Sequence, residues 1–329
     1  MKKGLVGIAL LLMLSMTLLA GCNSDASGDE KVTIGVTQIV EHPSLDAAFE
    51  GFKKALADNG YVEGENVTYD VQIAQGDMNN AQTIANNFVG DNVDMIFANA
   101  TPSAQSALNA TKEIPIIFTS VTDPIGAGLV ESFDKPGENI TGTSDTHPDA
   151  IPKTINFIVE ELQVKSIGVV YNSGEQNSAV QVETIKEILK GTNVELVEAS
   201  VSTSAEVKQA AESLVGRADA IYIPTDNTVV SAFESVVDVA QTEDIPLFAG
   251  DLDSVARGAI AGSGFNYEDL GYETGEMAVQ ILKGEKEPSE IPVSYPKSLK
   301  LVINKEAAEK QGVEVKEEWG EIAEFYEAE

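Results

Sequence analysis

The strongest constraint in this chain is an alternation of apolar strands and amphipathic helices that runs its course and then begins again. Lys31 to Gln38 (KVTIGVTQ) is a short β-branched run. Ser44 to Asn59 follows with Leu45, Ala48, Phe49, Phe52 and Leu56 at helical spacing, and Gly60 stops it. Val67 to Ile73, Asn79 to Val89, Val93 to Ala98, Pro102 to Thr111 and Pro115 to Ser120 continue the series. From Ser166 the pattern restarts. Ser166 to Asn172 (SIGVVYN) echoes Thr33 to Gln38 (TIGVTQ), the helix predicted over Ser178 to Lys190 echoes the first helix, and Asn193 to Ala199 repeats Asn66 to Ile73. Ala205 to Val215 repeats the helix ending at Val89, and Gly90 and Gly216 close the two. Asp219 onward (DAIYIPTDN) aligns with Asp94 onward (DMIFANATP), and Ile245 to Asp251 (IPLFAGD) with Ile114 to Ser120 (IPIIFTS).

Continuous apolar strands alternating with helices predict parallel sheets covered on both faces. The expected fold is α/β, with two similar doubly wound parallel-sheet lobes. Two independent domains are the plainer alternative. After Gly264, however, the chain starts no third unit; it adds one helix, Asp269 to Lys283, and one strand, Lys300 to Ile303. Those additions read as crossings that complete each lobe in turn and make a multi-crossing hinge. The expected organisation is 31–142 plus 265–290 for the N-terminal lobe and 143–264 plus 291–329 for the C-terminal lobe, after a signal peptide at 1–21 and a tether at 22–30.

The signal is read from Lys2 and Lys3, an apolar run from Leu5 to Ala20, and the tetrapeptide Leu19-Ala20-Gly21-Cys22, which matches a bacterial lipobox. A membrane-spanning helix needs ~20 predominantly apolar residues, and this run is shorter and interrupted by Ser15 and Thr17. Cys22 is the sole cysteine, so no intramolecular disulfide can form; it is the expected lipidation site. Acyl chains there would anchor the protein to the outer face of the cytoplasmic membrane. With 21 Lys+Arg against 53 Asp+Glu the formal charge is -32, which repels phosphate backbones and argues against nucleic-acid partners.

In open parallel sheets a ligand sits beyond the carboxyl ends of the strands. The repeat therefore selects Gln38 to Ser44, Asn99 to Ser103 and Ser120 to Asp123 in one lobe, and Asn172 to Ser178, Thr225 to Thr228 and Asp251 to Ser254 in the other. Candidate ligand-binding residues are Gln38, Thr101, Ser103, Ser120, Thr122, Asp123, Asn172, Thr225, Asp226, Asn227 and Asp251. In Thr101-Pro102-Ser103 a capping hydroxyl precedes proline at the first helical position, which predicts free N–H groups suited to a carboxylate. Asp226 and Asp251, on the opposing lobe, are suited to an ammonium. Each also has an ordinary reading: Thr101 and Asp226 as helix caps, Asp251 as a solvated acid, His42 as a surface or supporting group. Tyr171, Tyr222, Phe265 and Tyr267 lie near strand ends or the hinge, placed either to stack on an aromatic ring or simply to pack.

Several stretches also carry a resemblance: GVTQIVEHPSLDAAFEGFKKAL (35–56), AQGDMNNAQTIA (74–85), VTDPIGAGLV (121–130), PGENITGTSD (136–145), YNSGEQNSAVQVE (171–183) and YIPTDNTVVSA (222–232). Over residues 31 to about 316 the chain resembles the ABC-transporter substrate-binding proteins whose better-known members bind tryptophan and other aromatic amino acids. The resemblance implies a type I periplasmic-binding-protein fold, an aromatic amino acid ligand captured by hinge closure, an ABC permease and its ATPase as partners, and no cofactor. Its strand-end motifs include Gln38, Thr101, Ser120, Thr122, Asp123, Asn172, Thr225 and Asn227; relatives carry a glutamate near Asp251, where this chain has the shorter acid. A sensory subunit for a membrane receptor, or the same fold binding a sugar, are the alternatives. An enzyme is not expected: the only histidines, His42 and His147, each precede proline, and there is neither a His/Cys metal cluster nor a nucleophile-elbow pattern.

Overall fold

The computed structural model describes residues 31–327. The signal, the tether and Cys22 lie outside the described residues. In chain order the first half contains β1 (Val32–Gln38), α1 (Pro43–Asp58), β2 (Val67–Ile73), α2 (Met78–Asp91), β3 (Met95–Asn99), α3 (Thr101–Ala110), β4 (Ile116–Val121) and β5 (Ile140–Ser144). The second half contains α4 (Ala150–Leu162), β6 (Ser166–Asn172), α5 (Gln176–Leu189), β7 (Glu195–Val201), α6 (Val207–Glu212), β8 (Ala220–Ile223), α7 (Asn227–Val230), α8 (Phe233–Thr242), β9 (Leu247–Ala249), α9 (Leu252–Ala256) and β10 (Ala261–Gly264). The late additions are α10 (Tyr267–Leu282), β11 (Lys300–Ile303), α11 (Lys305–Lys310) and β12 (Glu324–Phe325).

The two sheets have the order β2-β1-β3-β4-β5 and β7-β6-β8-β9-β10-β11-β12. The first five strands of each therefore follow one winding scheme, as the internal repeat requires. Every pairing is parallel except β10 with β11. All residues of β3, β4, β5 and β8 are buried, which explains why these strands read as unbroken apolar or small-residue runs rather than as alternating ones. The sequence pattern did not reveal α4, α8, β5 or β10. The two strands are short and, apart from Ile140, built from Gly, Ser, Thr and Ala, so they carry no β-branched apolar run to detect.

The chain passes between the sheets at 145–149, 265–266 and 295–299. β5 continues to Ser144, and Ser294 bridges to Thr143 while the Val293 N–H donates to Phe133 O. The first and last crossings thus fall a few residues later than the expected boundaries at 142/143 and 290/291. The late helix α10 lies against α1, β4 and β5. Glycine makes this approach possible: a Cβ on Gly51 would strike the Glu268 carbonyl, and one on Gly271 the Ala48 carbonyl. Residues more than two hundred positions apart approach backbone to backbone, so the packing around the first sheet is completed only when the chain returns from the second.

Replacing Gly271 by Ala is expected to destabilise the fold by about 1–3 kcal/mol, the usual cost of overpacking a tight contact. Gly90, exposed in α2 with open space where a Cβ would go, is the internal control; Gly90→Ala should stabilise by about 0.4–1 kcal/mol. Urea denaturation of both variants measures the difference.

Candidate functional site

The carboxyl ends of both sheets face one another across a cleft lined by His42, Ser44, Leu45, Ser120, Thr122 and Tyr267 on one side and by Asn177, Thr225, Asn227, Val230 and Asp251 on the other, with Asp145 at the first crossing between them. The cleft is drawn shut. Ser44 Oγ donates to Asp253 Oδ2 at 2.6 Å and lies 3.5 Å from Asp251 Oδ1, and Gln176 Nε2 donates to Asp123 Oδ2 at 3.3 Å. The cavity left between them is about 20 Å³, room for little more than one water. Small-molecule pockets usually measure several hundred Å³, so a solute enters only by parting the lobes.

Of the sequence-selected residues, Ser120, Thr122, Thr225, Asn227 and Asp251 line this cavity. Thr101 and Ser103, at the start of α3, are not among the cavity-lining residues; the helix start is tied to the neighbouring strand end by the Ala100 N–H to Thr119 O bond, one residue before Ser120. One expectation is corrected here: Thr101 is not the helix cap. Ala100 takes that position with φ +80°, and no side chain caps α3. Thr101 Oγ1, Ser103 Oγ and Ser120 Oγ are all buried without a hydrogen-bond partner. Ser120 itself has φ +56°. Two adjacent strand ends thus hold non-glycine residues in left-handed backbone, a strain characteristic of ligand-holding loops.

Other selected residues serve the frame. Gln38 donates to Val40 O and Asp46 and accepts from Asn99, fixing the turn before α1. Asn172 donates to Thr228 Oγ1 and, through its backbone, to Asp226. Asp123 caps the following turn at the Gly126 N–H as well as meeting Gln176. Asp226 is buried with its oxygens taken by the N–H groups of Asn172 and Val229, and it does not line the cavity. Burial, with Glu175 nearby, pushes its carboxyl up to about 7.

The residues that the pattern missed are the most informative. Glu175 is buried and accepts from the N–H and side chains of Asn227 and Thr228, so an internal carboxylate fills the N-terminus of α7. Asp145, in the first crossing, accepts from the Tyr267 hydroxyl at 3.0 Å, while its Oδ1 is enclosed and unpartnered. Burial raises Asp145 to about 6, and it also raises Asp251, with Asp253 adding to the effect. His42 is pushed down to about 3, first by burial and then by Arg257, so the imidazole is neutral at physiological pH. Arg257 is itself held by Glu234 and the Val230 carbonyl, and the cavity lining contains no Lys or Arg. Glu175 lies inside the Asn172 to Ser178 loop that the repeat selected but was not named as a candidate, and Asp145 lies outside every selected loop. Among the aromatics, Tyr267 lines the cavity with Phe265 5.0 Å away, Tyr222 is buried beneath it, and Tyr171 points to Glu198.

Among the described residues, no cluster of three or more His, Cys, Asp or Glu is placed to hold a metal, and no helix is long and apolar enough to cross a membrane. Residues 33–324 match the family model described as ABC transporter substrate binding protein. The chain is 46% identical over 317 residues to the tyrosine-binding protein of Clostridioides difficile strain R20291, covering 93% of this chain and 91% of that one. Among solved structures it is similar to an ABC domain in complex with L-Trp from Streptococcus pneumonia, at 35% identity and a TM-score of 0.84, with 90% of this chain and 99% of that one covered. It is also similar to the ligand-free, open structure of a substrate binding protein with adhesive properties from Clostridium difficile, at 44% identity, a TM-score of 0.65 and 91% and 100% coverage. The nearer sequence has the poorer superposition because that relative is open; the conformation here is the closed one. The chain belongs to the ABC transporter substrate binding proteins, type I periplasmic-binding-protein folds that take up a small solute outside the cytoplasm and deliver it to a membrane permease rather than transform it.

Proposed function

We propose that this protein is a lipid-anchored receptor for an aromatic amino acid, tyrosine foremost. The observation that carries the reading is the pairing of an uncapped α3 N-terminus, with three buried unpartnered hydroxyls beside it, with two buried carboxyl groups, Asp145 and Asp251, in a cavity lined by no cation. The first end offers donors to a ligand carboxylate. The second offers acceptors to an ammonium. The corresponding helix in the other lobe, α7, is already occupied by Glu175, so the carboxylate has one seat and the zwitterion one orientation. A sugar would need many neutral partners around its ring, and this arrangement instead matches one anion and one cation. The tyrosine-binding and L-Trp-bound relatives support the aromatic side chain, and Tyr267 with Phe265 supplies the ring surface.

Closure is a hinge equilibrium in which the ligand ammonium satisfies acids that closure alone would strand in a dry cleft. We assign the lobes to 31–144 plus 265–294 and to 145–264 plus 295–329, with Cys22 carrying the lipid and 23–30 the tether.

Calorimetry is expected to show saturable binding of L-tyrosine. Asp145→Asn and Asp251→Asn should weaken it by about 10-fold or more, since a charge-assisted bond contributes ~1.5–3 kcal/mol, and should weaken the deaminated analogue far less. Equal losses for both ligands would remove the ammonium role, and a sugar that binds where no aromatic amino acid does would overturn the ligand class.

The acid at position 145 also sets a pH dependence. Its carboxyl is raised from the ordinary range to about 6, so its contribution to the ligand-free closed state is fully present at low pH and is lost as pH rises through about 6. His42, lowered to about 3, acts in the opposite sense, its contribution falling away as pH drops below its ordinary range. Stability of the wild type should therefore differ from that of Asp145→Asn by up to one linked proton between pH 4 and about 6. Thermal melts across that range, which hold the His42 contribution constant between the two proteins, report the difference.

Cys22→Ser is expected to move the protein from the membrane fraction to the medium or periplasm without changing its ligand affinity. Fractionation that leaves it membrane-bound would refute the anchor.

A further inference from the structure

Beside the ligand cleft lies a second groove, of about 490 Å³, that the amino acid site does not use. Phe133 and Tyr295 form one wall, packed edge to face with ring centroids 5.9 Å apart at 80°. Ile151 of α4 and Val180 of α5 form the other. The first pair belongs with the β5 side of the molecule, where Ser294 bridges Thr143, and the second with the other sheet's helices. Thr122 lines both the cleft and this groove, and the Asp123 to Gln176 bond ties the lobes together beside them.

Tyr295 is 43% exposed while packed edge to face on Phe133, so part of its ring surface is open at the groove. Most polar side chains around the rim are engaged with the protein: Thr146 Oγ1 donates to Thr122 O, Thr184 Oγ1 to Val180 O, Gln181 exchanges bonds with Thr225, Asp123 takes Gly126 N–H and Gln176, and His147 Nδ1 accepts from the Asp149 N–H, which leaves its Nε2 as the one imidazole edge toward a guest. What is otherwise left to recognise a guest is aromatic and aliphatic surface at a volume within the small-molecule range. The chain's charge of -32 disfavours an anion, and the committed rim disfavours a sugar or a second zwitterion.

We propose that this groove is a second binding site, for an uncharged aromatic molecule, and that its occupation favours lobe closure. The coupling follows from construction. Phe133 belongs to the first lobe, with Tyr295 at the crossing beside it, and Ile151 and Val180 belong to the second, so a guest that touches Phe133 and Val180 together keeps full contact only while the lobes stay closed. By linkage, ligand in the cleft must then strengthen binding in the groove by the same factor.

Indole is the probe, followed by ligand-observed NMR and calorimetry on the full mature protein with and without saturating L-tyrosine. The expected result is saturable indole binding that survives tyrosine, a release of tyrosine slowed about fivefold or more, and loss of both effects in Val180→Asp and Tyr295→Ala while tyrosine affinity is unchanged. Met78→Asp, an exposed apolar residue on a remote helix, should leave both effects intact. Absence of saturable binding, one-for-one competition with tyrosine, or binding undiminished in both groove variants would each overturn the second site. Were tyrosine not to bind at all, the amino acid reading would fall, and the comparison of indole binding between wild type and groove variants would still decide this one.

Discussion

A carboxyl group enclosed between two protein surfaces must be protonated, hydrogen-bonded or paired, because its charge is poorly solvated there. In the closed cleft of this protein Asp145 and Asp251 face that requirement with partial means: a tyrosine hydroxyl for one, a serine N–H and hydroxyl for the other. Both sit above the ordinary carboxyl range as a result. The rest of the site is organised around this tension. His42 is kept neutral, Arg257 is tied back to Glu234, and the cavity wall is left without a cation of its own. On the proposed reading, the charge that resolves the cleft comes from the solute.

The two lobes descend from one plan but divide the work unequally. In one, α3 begins without a cap and with its first hydroxyls unpartnered; in the other, the equivalent helix start is filled by Glu175. An anion therefore has a place in the first lobe and is excluded by like charge and occupied donors in the second. A symmetrical fold thereby acquires a polar direction, and the zwitterion proposed as ligand would align along it.

Much of the architecture was legible because a buried parallel strand must be apolar throughout and a covering helix must show its period. β1, β3, β4 and β6 are such strands, and their order in the chain fixed the duplication. Boundaries blurred where composition lost that signal, as in β5 (ITGTS) and β10 (AGSG), whose small residues allow close packing instead of advertising a strand. The strand-end rule likewise named Ser120, Thr122, Thr225, Asn227 and Asp251 at the cavity but could not tell them from Gln38 and Asp226, whose polar atoms turn inward to brace the loops.

The sequence by itself determined the strand–helix alternation with its internal repeat, the polar strand ends and the family, because these depend on local periodicity and on motifs that each lobe carries alone. The tertiary structure decided which acids share the cavity, which hydroxyls are left unpartnered, and that α10 must close on α1 through Gly51 and Gly271. Those relations are made by tertiary packing, within a lobe for α10 on α1 and between the lobes for the cleft, and only that packing gives them an energy.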